Sequence, residues 1–165
     1  LQILLETIPK LWSNRMGTRV LKTLFFIITV LTVAEVVLAK TIQIEFTEDD
    51  SYSIEVVRID IGDTIEWLPK NKGHNVEFLI GPKMNSLPVK SEIDERHSVV
   101  FTIPGVYLYG CTPHANMGML GLIIVGNDFH NIEKLKEIDL PRVATSVLKR
   151  LIRIAQSHSV PSGSQ

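Results

Sequence analysis

The chain has 165 residues, 45% of them hydrophobic and 21% charged, with a formal net charge of −1. That length and apolar content suit one domain with a buried core, and so small a charge excludes a nucleic-acid partner, which needs a basic face. A single cysteine, Cys111, excludes an intramolecular disulfide and also a c-type haem attachment, which needs two.

Residues 16–39 read as a secretory signal peptide. Arg19 and Lys22 give a positive start, "TLFFIITVLTV" an apolar run, and Val37-Leu38-Ala39 a small-residue cleavage site. An uncleaved anchor is the rival reading, but Glu35 would be costly in a bilayer and shortens the apolar stretch. Residues 1–15 precede this segment and are expected to be an upstream extension outside the native protein. Without residues 1–39 the net charge is about −3, and no membrane association is expected after cleavage. Export to the periplasm follows, and in an oxidising compartment a lone thiol must be buried or bound.

From Lys40 the apolar residues alternate over short runs separated by turns, which predicts strands. "TIQIEFT" precedes the acidic turn Glu48-Asp49-Asp50; "YSIEVVRIDI" and "TIEWLP" flank Gly62-Asp63; "HSVVFTI" and "VYLYGC" flank Pro104-Gly105; "MLGLIIVG" closes the series. Six or seven such strands over 40–127 predict a β-sandwich with Greek-key connections. Residues 79–96, with Pro82, Asn85 and Pro88, read as a loop carrying a turn of helix at "KSEIDE". Past Asn127 the period changes. A short helix is predicted over 131–138 and a second one opened by Pro141, with Ala144, Val147, Leu148, Leu151, Ile154 and Ala155 as the face against the sheet and Arg142, Lys149 and Arg153 facing solvent. These helices (128–157) are expected to pack on the sandwich, and the tail 158–165 to be disordered.

"CTPHANMGM", residues 111–119, places a cysteine, a histidine and two methionines in the loop between the last two strands. His74, in "PKNKGHNVEF" after another strand, sits where loops at one end of a sandwich converge. One thiolate, two imidazoles and a thioether suit copper in a trigonal site with a long axial bond, whereas zinc usually takes four strong tetrahedral ligands. A Cys–His nucleophile pair would need an orienting third group and an oxyanion hole, and neither is recognisable. Two further alternatives stay open: a periplasmic copper carrier, and a copper oxidase or reductase. The second would call on more histidines, and His97, His130 and His158 read as surface residues.

These motifs resemble the blue copper proteins, and among them the pseudoazurins, over about Thr41 to Gln156. The likeness runs through "GDTIEWLP", "KGHNVE", "KSEIDE", "FTIPGVYLYGCTPH" and "MGM" to the two helices after "VGN". It implies a cupredoxin-like Greek-key β-sandwich with two C-terminal α-helices and one type 1 copper, an electron carrier rather than an enzyme. By that resemblance the ligands are His74, Cys111, His114 and Met119, with Met119 rather than Met117 axial, eight positions after the cysteine. Asn75 and Pro113 support them. His114, ringed by Pro113, Ala115 and Met117, is the implied electron port, with Lys70, Lys72, Lys83 and Lys90 as a basic rim. The family usually carries a lysine before the cysteine, and here that position is Gly110. The implied partners are transient redox proteins, a copper nitrite reductase or a cytochrome, met by a monomer.

Overall fold

The computed structural model describes residues 38–157. The expected upstream extension, the tail 158–165 and all but the last two residues of the expected signal peptide lie outside the described residues. Among the described residues no helix is long and apolar enough to cross a membrane.

Among the described residues seven strands form two sheets: β1 (Thr41–Glu45), β2 (Val56–Ile59), β3 (Thr64–Leu68), β4 (Glu77–Ile80), β5 (His97–Val100), β6 (Gly105–Gly110) and β7 (Leu120–Val125). One sheet has the order β1-β3-β5, the other β2-β7-β6-β4. β1 lies parallel to β3 and β2 parallel to β7, and the other pairs are antiparallel. Two helices follow, α1 (Ile132–Lys136) and α2 (Arg142–Ser157). This is the sandwich with two C-terminal helices that the sequence predicts.

β6 and β7 are buried at every residue, and the two cores explain why. Tyr107, Tyr109, Ile123 and Val125 point between the sheets, against Ile44, Ile65, Trp67 and Phe78. Their neighbours Val106, Leu108, Leu122 and Ile124 point the other way, beneath Leu135, Leu148, Leu151 and Ile152 of the helices. A strand covered on both faces must be apolar throughout, so "LGLIIV" shows no alternation. Each such buried side chain contributes roughly 1.5–3 kcal/mol. In α2 the buried set is Ala144, Leu148, Leu151, Ile152 and Ala155. Ile152 thus takes the place expected for Ile154, which is only half-buried.

Polar clamps fix these layers. Buried Asn131 accepts from the Val106 amide and donates to the Val106 carbonyl, both at 2.8 Å, pinning the start of α1 to β6. Arg150 of α2 grips Glu55 through two bonds of 2.8 and 2.7 Å. The buried Asp63 carboxylate accepts the amides of Lys40 and Asp60 at 2.9 Å and faces the Lys40 ammonium at 3.4 Å. Burial alone would raise its pKa; those amides and the ammonium more than reverse this and hold it below the ordinary value.

The structure departs from the sequence expectations in three further places. "YSIEVVRIDI" is not one strand: Tyr52 makes an isolated bridge to Phe46, and β2 begins only at Val56. The chain crosses from the first sheet to the second between them, so no single ladder can run through. "KSEIDE" forms no helix, and the helical turn in this loop lies instead at Met84–Ser86. Ser91 is drawn inward, its hydroxyl accepting the Val76 amide at 2.9 Å and its own amide donating to the Val76 carbonyl at 2.9 Å. Asp94, inside this segment, sits at φ 61° and donates its amide to the His74 carbonyl at 2.8 Å, so neither its backbone conformation nor its amide is free for a helix.

His97 is the third. Its ring lies 5.8 Å from that of Trp67, and its Nε2 is buried without a hydrogen-bond partner among the described residues. It is not the surface residue expected. Burial lowers its pKa below the ordinary 6.5, and a backbone hydrogen bond with Val89 opposes this in part. A histidine with a depressed folded pKa supports the fold above the unfolded value and loses that support as pH falls toward the folded one. Stability is therefore expected to decline between pH 6.5 and the folded pKa, and His97→Phe to flatten that decline. Unfolding midpoints at pH 7.5 and 5.5 check this, and equal slopes in both proteins would refute it.

Candidate metal centre

Two loops at one end of the sandwich carry the donors of the site. β6 ends at Gly110, so Cys111 leaves the strand with its side chain fully buried. Residues 112–119 then turn tightly: the Cys111 carbonyl accepts the amides of His114 and Ala115, and the His114 carbonyl those of Met117 and Met119. Ala115–Met117 form a turn of 3-10 helix ended by Gly118 at φ 107°, a conformation that favours glycine. The Cys111 amide donates to the Met119 carbonyl at 3.2 Å, so the two sulfur residues begin and end one closed loop, and Met119 is also buried. His74 arrives from the loop between β3 and β4.

The donor atoms face one another. Cys111 Sγ lies 3.7 Å from His74 Nδ1 and 3.6 Å from His114 Nδ1, and the two Nδ1 atoms are 3.0 Å apart. A first-row transition ion bonded at roughly 2.0 Å to two nitrogens and roughly 2.3 Å to a sulfur in one plane spaces its donors roughly 3.5–3.7 Å apart. The two sulfur–nitrogen distances match that spacing and the nitrogen–nitrogen distance is roughly 0.5 Å short of it, so a small parting of the two rings admits an ion, and the soft sulfur and two imidazoles are a copper-type set. Burial, then the nearness of His114, lowers the pKa of His74 and keeps the ring neutral, as a ligand must be. Burial likewise raises the Cys111 thiol, opposed by the amides of Asn75 and His114. A metal cation binding here displaces that proton.

Asn75 joins the loops. Its Nδ2 donates to Thr112 Oγ1 at 2.9 Å and to the Ser91 carbonyl at 3.2 Å, its Oδ1 accepts the Thr112 amide at 2.8 Å, and its carbonyl accepts Tyr52 OH at 2.9 Å. Thr112 Oγ1 in turn donates to Glu77 at 2.7 Å. Asn75→Ala strands several of these groups. It is expected to cost about 2 kcal/mol of stability and roughly 10–100-fold in copper affinity. Denaturant unfolding and competition titration against a chelator measure the two losses, and an unchanged affinity would refute the second.

The side chain of His74 is 3% exposed and that of His114 22%. Only the second reaches the surface, where Pro113 is exposed and Met117 is 60% exposed, while Ala115 is half-buried against the helical core. Val143 of α2, 56% exposed, adds to the apolar area, because α2 closes on Gly118. Lys70, Lys72, Lys83 and Lys90 are all exposed, with Lys70 3.8 Å from Glu45. At Gly110 a Cβ would stand 2.9 Å from Leu120 Cδ2, 3.0 Å from Ala115 Cβ and 3.1 Å from the Met119 carbonyl. The loop closes over the point from which a lysine would leave.

Several residues at the site carry no legible motif. Asp50 Oδ1 is 3.5 Å from His74 Nε2 and 3.8 Å from His114 Nδ1. Asp94 Oδ1 accepts the amides of Gly73 and His74 at 2.6 and 3.3 Å. Thr112, Ser91, Tyr52 and Val143 are equally silent in sequence. Only the excess of acids in two loops hinted at the carboxylates.

Comparison with known proteins agrees with this geometry. Residues 40–126 match the model of "Copper binding proteins, plastocyanin/azurin family". A protein of Rhizobium leguminosarum bv. viciae described as a pseudoazurin is 42% identical over 96 residues, covering 58% of this chain and 61% of that one. Pseudoazurin of Paracoccus pantotrophus is 39% identical over 93 residues, with coverage of 53% and 61%. The chain thus spans about three fifths of the length of these curated relatives. A solved pseudoazurin structure from Sinorhizobium superposes with a TM-score of 0.66 at 30% identity, covering 73% of this chain and 98% of that one. The chain belongs to the plastocyanin/azurin family of copper-binding proteins, and within it to the pseudoazurins.

Proposed function

We propose that this protein is a type 1 copper electron carrier, and not an enzyme, that works in the periplasm after export and holds one copper ion through His74, Cys111, His114 and Met119. The observation that carries the reading is the convergence of Cys111 Sγ and two Nδ1 atoms within 3.0–3.7 Å, with Cys111 and His74 buried. Copper bound there supplies a one-electron Cu(I)/Cu(II) couple. The residues supply rigidity: Asn75 locks two ligand loops together, and the closed 111–119 turn leaves the donors little to rearrange as the charge changes. Cys111, His74 and Met119 are shut away from solvent, so no substrate reaches them, and His114 is the route by which an electron leaves.

Partners dock on the apolar area around His114, with Pro113, Ala115 and Met117 in contact and Lys70, Lys72, Lys83 and Lys90 near the rim. Such an interface suits brief encounters of less than roughly 1,200 Å² by a monomeric carrier. A copper nitrite reductase or a cytochrome fits this role. Loading with Cu(II) tests the reading: an intense visible thiolate-to-copper absorption band is expected, and a colourless complex would overturn it.

A further inference from the structure

We infer that Asp50 is a positioning residue for His74, and that its carboxylate biases the site toward the more highly charged state of the bound ion. The inference rests on the copper reading above.

His74 offers Nδ1 to the cluster, which leaves the ring proton on Nε2 once an ion is bound. The side chain is only 3% exposed, so that N–H needs a partner from the protein. Asp50 Oδ1 stands 3.5 Å from it. A carboxylate behind a metal-bound imidazole fixes the ring and makes it a stronger donor.

The turn that carries Asp50 is built to hold it there. The Thr47 amide donates to the Ser51 carbonyl at 2.9 Å, the Ser51 amide to Thr47 Oγ1 at 3.2 Å, and the two hydroxyls meet at 2.7 Å. Asp50 itself sits at φ 51°, in the left-handed region that aspartate tolerates better than most residues. Both flanks of the turn are tied to the His74 loop. On one side the Phe46 carbonyl accepts Asn71 Nδ2 at 2.8 Å, and the Phe46 ring packs edge-on against His74 at 5.7 Å. On the other, Tyr52 OH donates to the Asn75 carbonyl at 2.9 Å. An acidic turn that looks like ordinary solvated surface in the sequence is therefore anchored on the ligand loop, with one of its three acids aimed at the ring.

The same oxygen lies 3.8 Å from His114 Nδ1, so its charge is close to both imidazole donors. A fixed negative charge at that range favours Cu(II) over Cu(I). The side chain is 51% exposed, and water screens part of the effect.

The experiment compares the copper-loaded full chain with Asp50→Asn, Asp50→Glu and Asp49→Asn. Asp50→Asn is expected to lower the preference for Cu(II) over Cu(I) about tenfold, read as a rise in reduction potential of about 59 mV for one electron. Asp50→Glu should recover most of this, and Asp49→Asn, which removes the same charge one residue away, should move the potential less than about twofold in that preference. In the diamagnetic Cu(I) form, the His74 Nε2–H resonance should exchange with solvent faster in Asp50→Asn than in the wild type. If wild-type protein shows the blue band while Asp50→Asn leaves potential and exchange unchanged, or if Asp49→Asn shifts the potential equally, the role of Asp50 is overturned. A wild type without the band overturns the copper reading instead.

Discussion

Cys111→Ser is expected to abolish the visible charge-transfer band completely while leaving the protein folded. The band requires a thiolate bound to Cu(II), and Cys111 is the only cysteine in the chain. A serine hydroxyl is nearly the same size but stays protonated and is a hard oxygen donor, poorly matched to Cu(I). Cu(II) affinity should fall by more than the roughly 10–100-fold that loss of a supporting partner costs. The fold should survive although Cys111 belongs to the core between the sheets: the buried hydroxyl costs about 1–3 kcal/mol, and the ring contacts among Tyr52, Trp67, Phe78 and Tyr109 do not involve it. Absorption spectroscopy, metal analysis and circular dichroism on the same sample check all three. A variant that keeps the blue band would remove Cys111 from the ligand set.

A second large effect is expected at a residue that holds no donor atom. Gly121 pairs with Tyr109 across β6 and β7, and a Cβ there would lie 2.3 Å from Tyr109 Cζ and 2.5 Å from its hydroxyl oxygen. The tyrosine ring cannot step aside, being held by Tyr52 at 4.7 Å, Trp67 at 5.3 Å and Phe78 at 5.9 Å. Overpacking a core costs about 1–3 kcal/mol and occasionally more. With a rigid ring as the obstacle, Gly121→Ala should fall at about 3 kcal/mol or above. Denaturant unfolding measures it, and adding Tyr109→Leu should return part of the loss in a double-mutant cycle. A cost below about 1 kcal/mol would show that the ring yields.

Much of this was legible from the chain. The alternation in "TIQIE" and "TIEWL" marks strands with one buried face, and the switch to three- and four-residue spacing marks α2, because both signals depend only on local geometry. The same alternation predicts the sandwich, and the strand-end positions of His74 and Cys111 bring them to one end of it. Where the reading went astray, the deciding contacts were distant. Asp94 turns to φ 61° and gives its amide to the His74 carbonyl, and so denies "KSEIDE" its helix. Phe46 and Tyr52 close a bridge that ends the long strand early. His97 looks like any strand-entry histidine until Trp67 is laid beside it.

The ligand loop shows the same division. Its sequence alone determined which donors lie within nine residues of one another, and the position of His74 in the loop after another strand offered it as their partner. Only the tertiary structure decided that three donor atoms come within 3.7 Å, that Asn75 locks the loops and that Asp50 faces the His74 ring. The physical reason is range. Residue type and spacing encode chemistry and local conformation. The distance between a carboxylate at position 50, an imidazole at 74 and a thiol at 111 is set by how two sheets pack, and no local pattern records it.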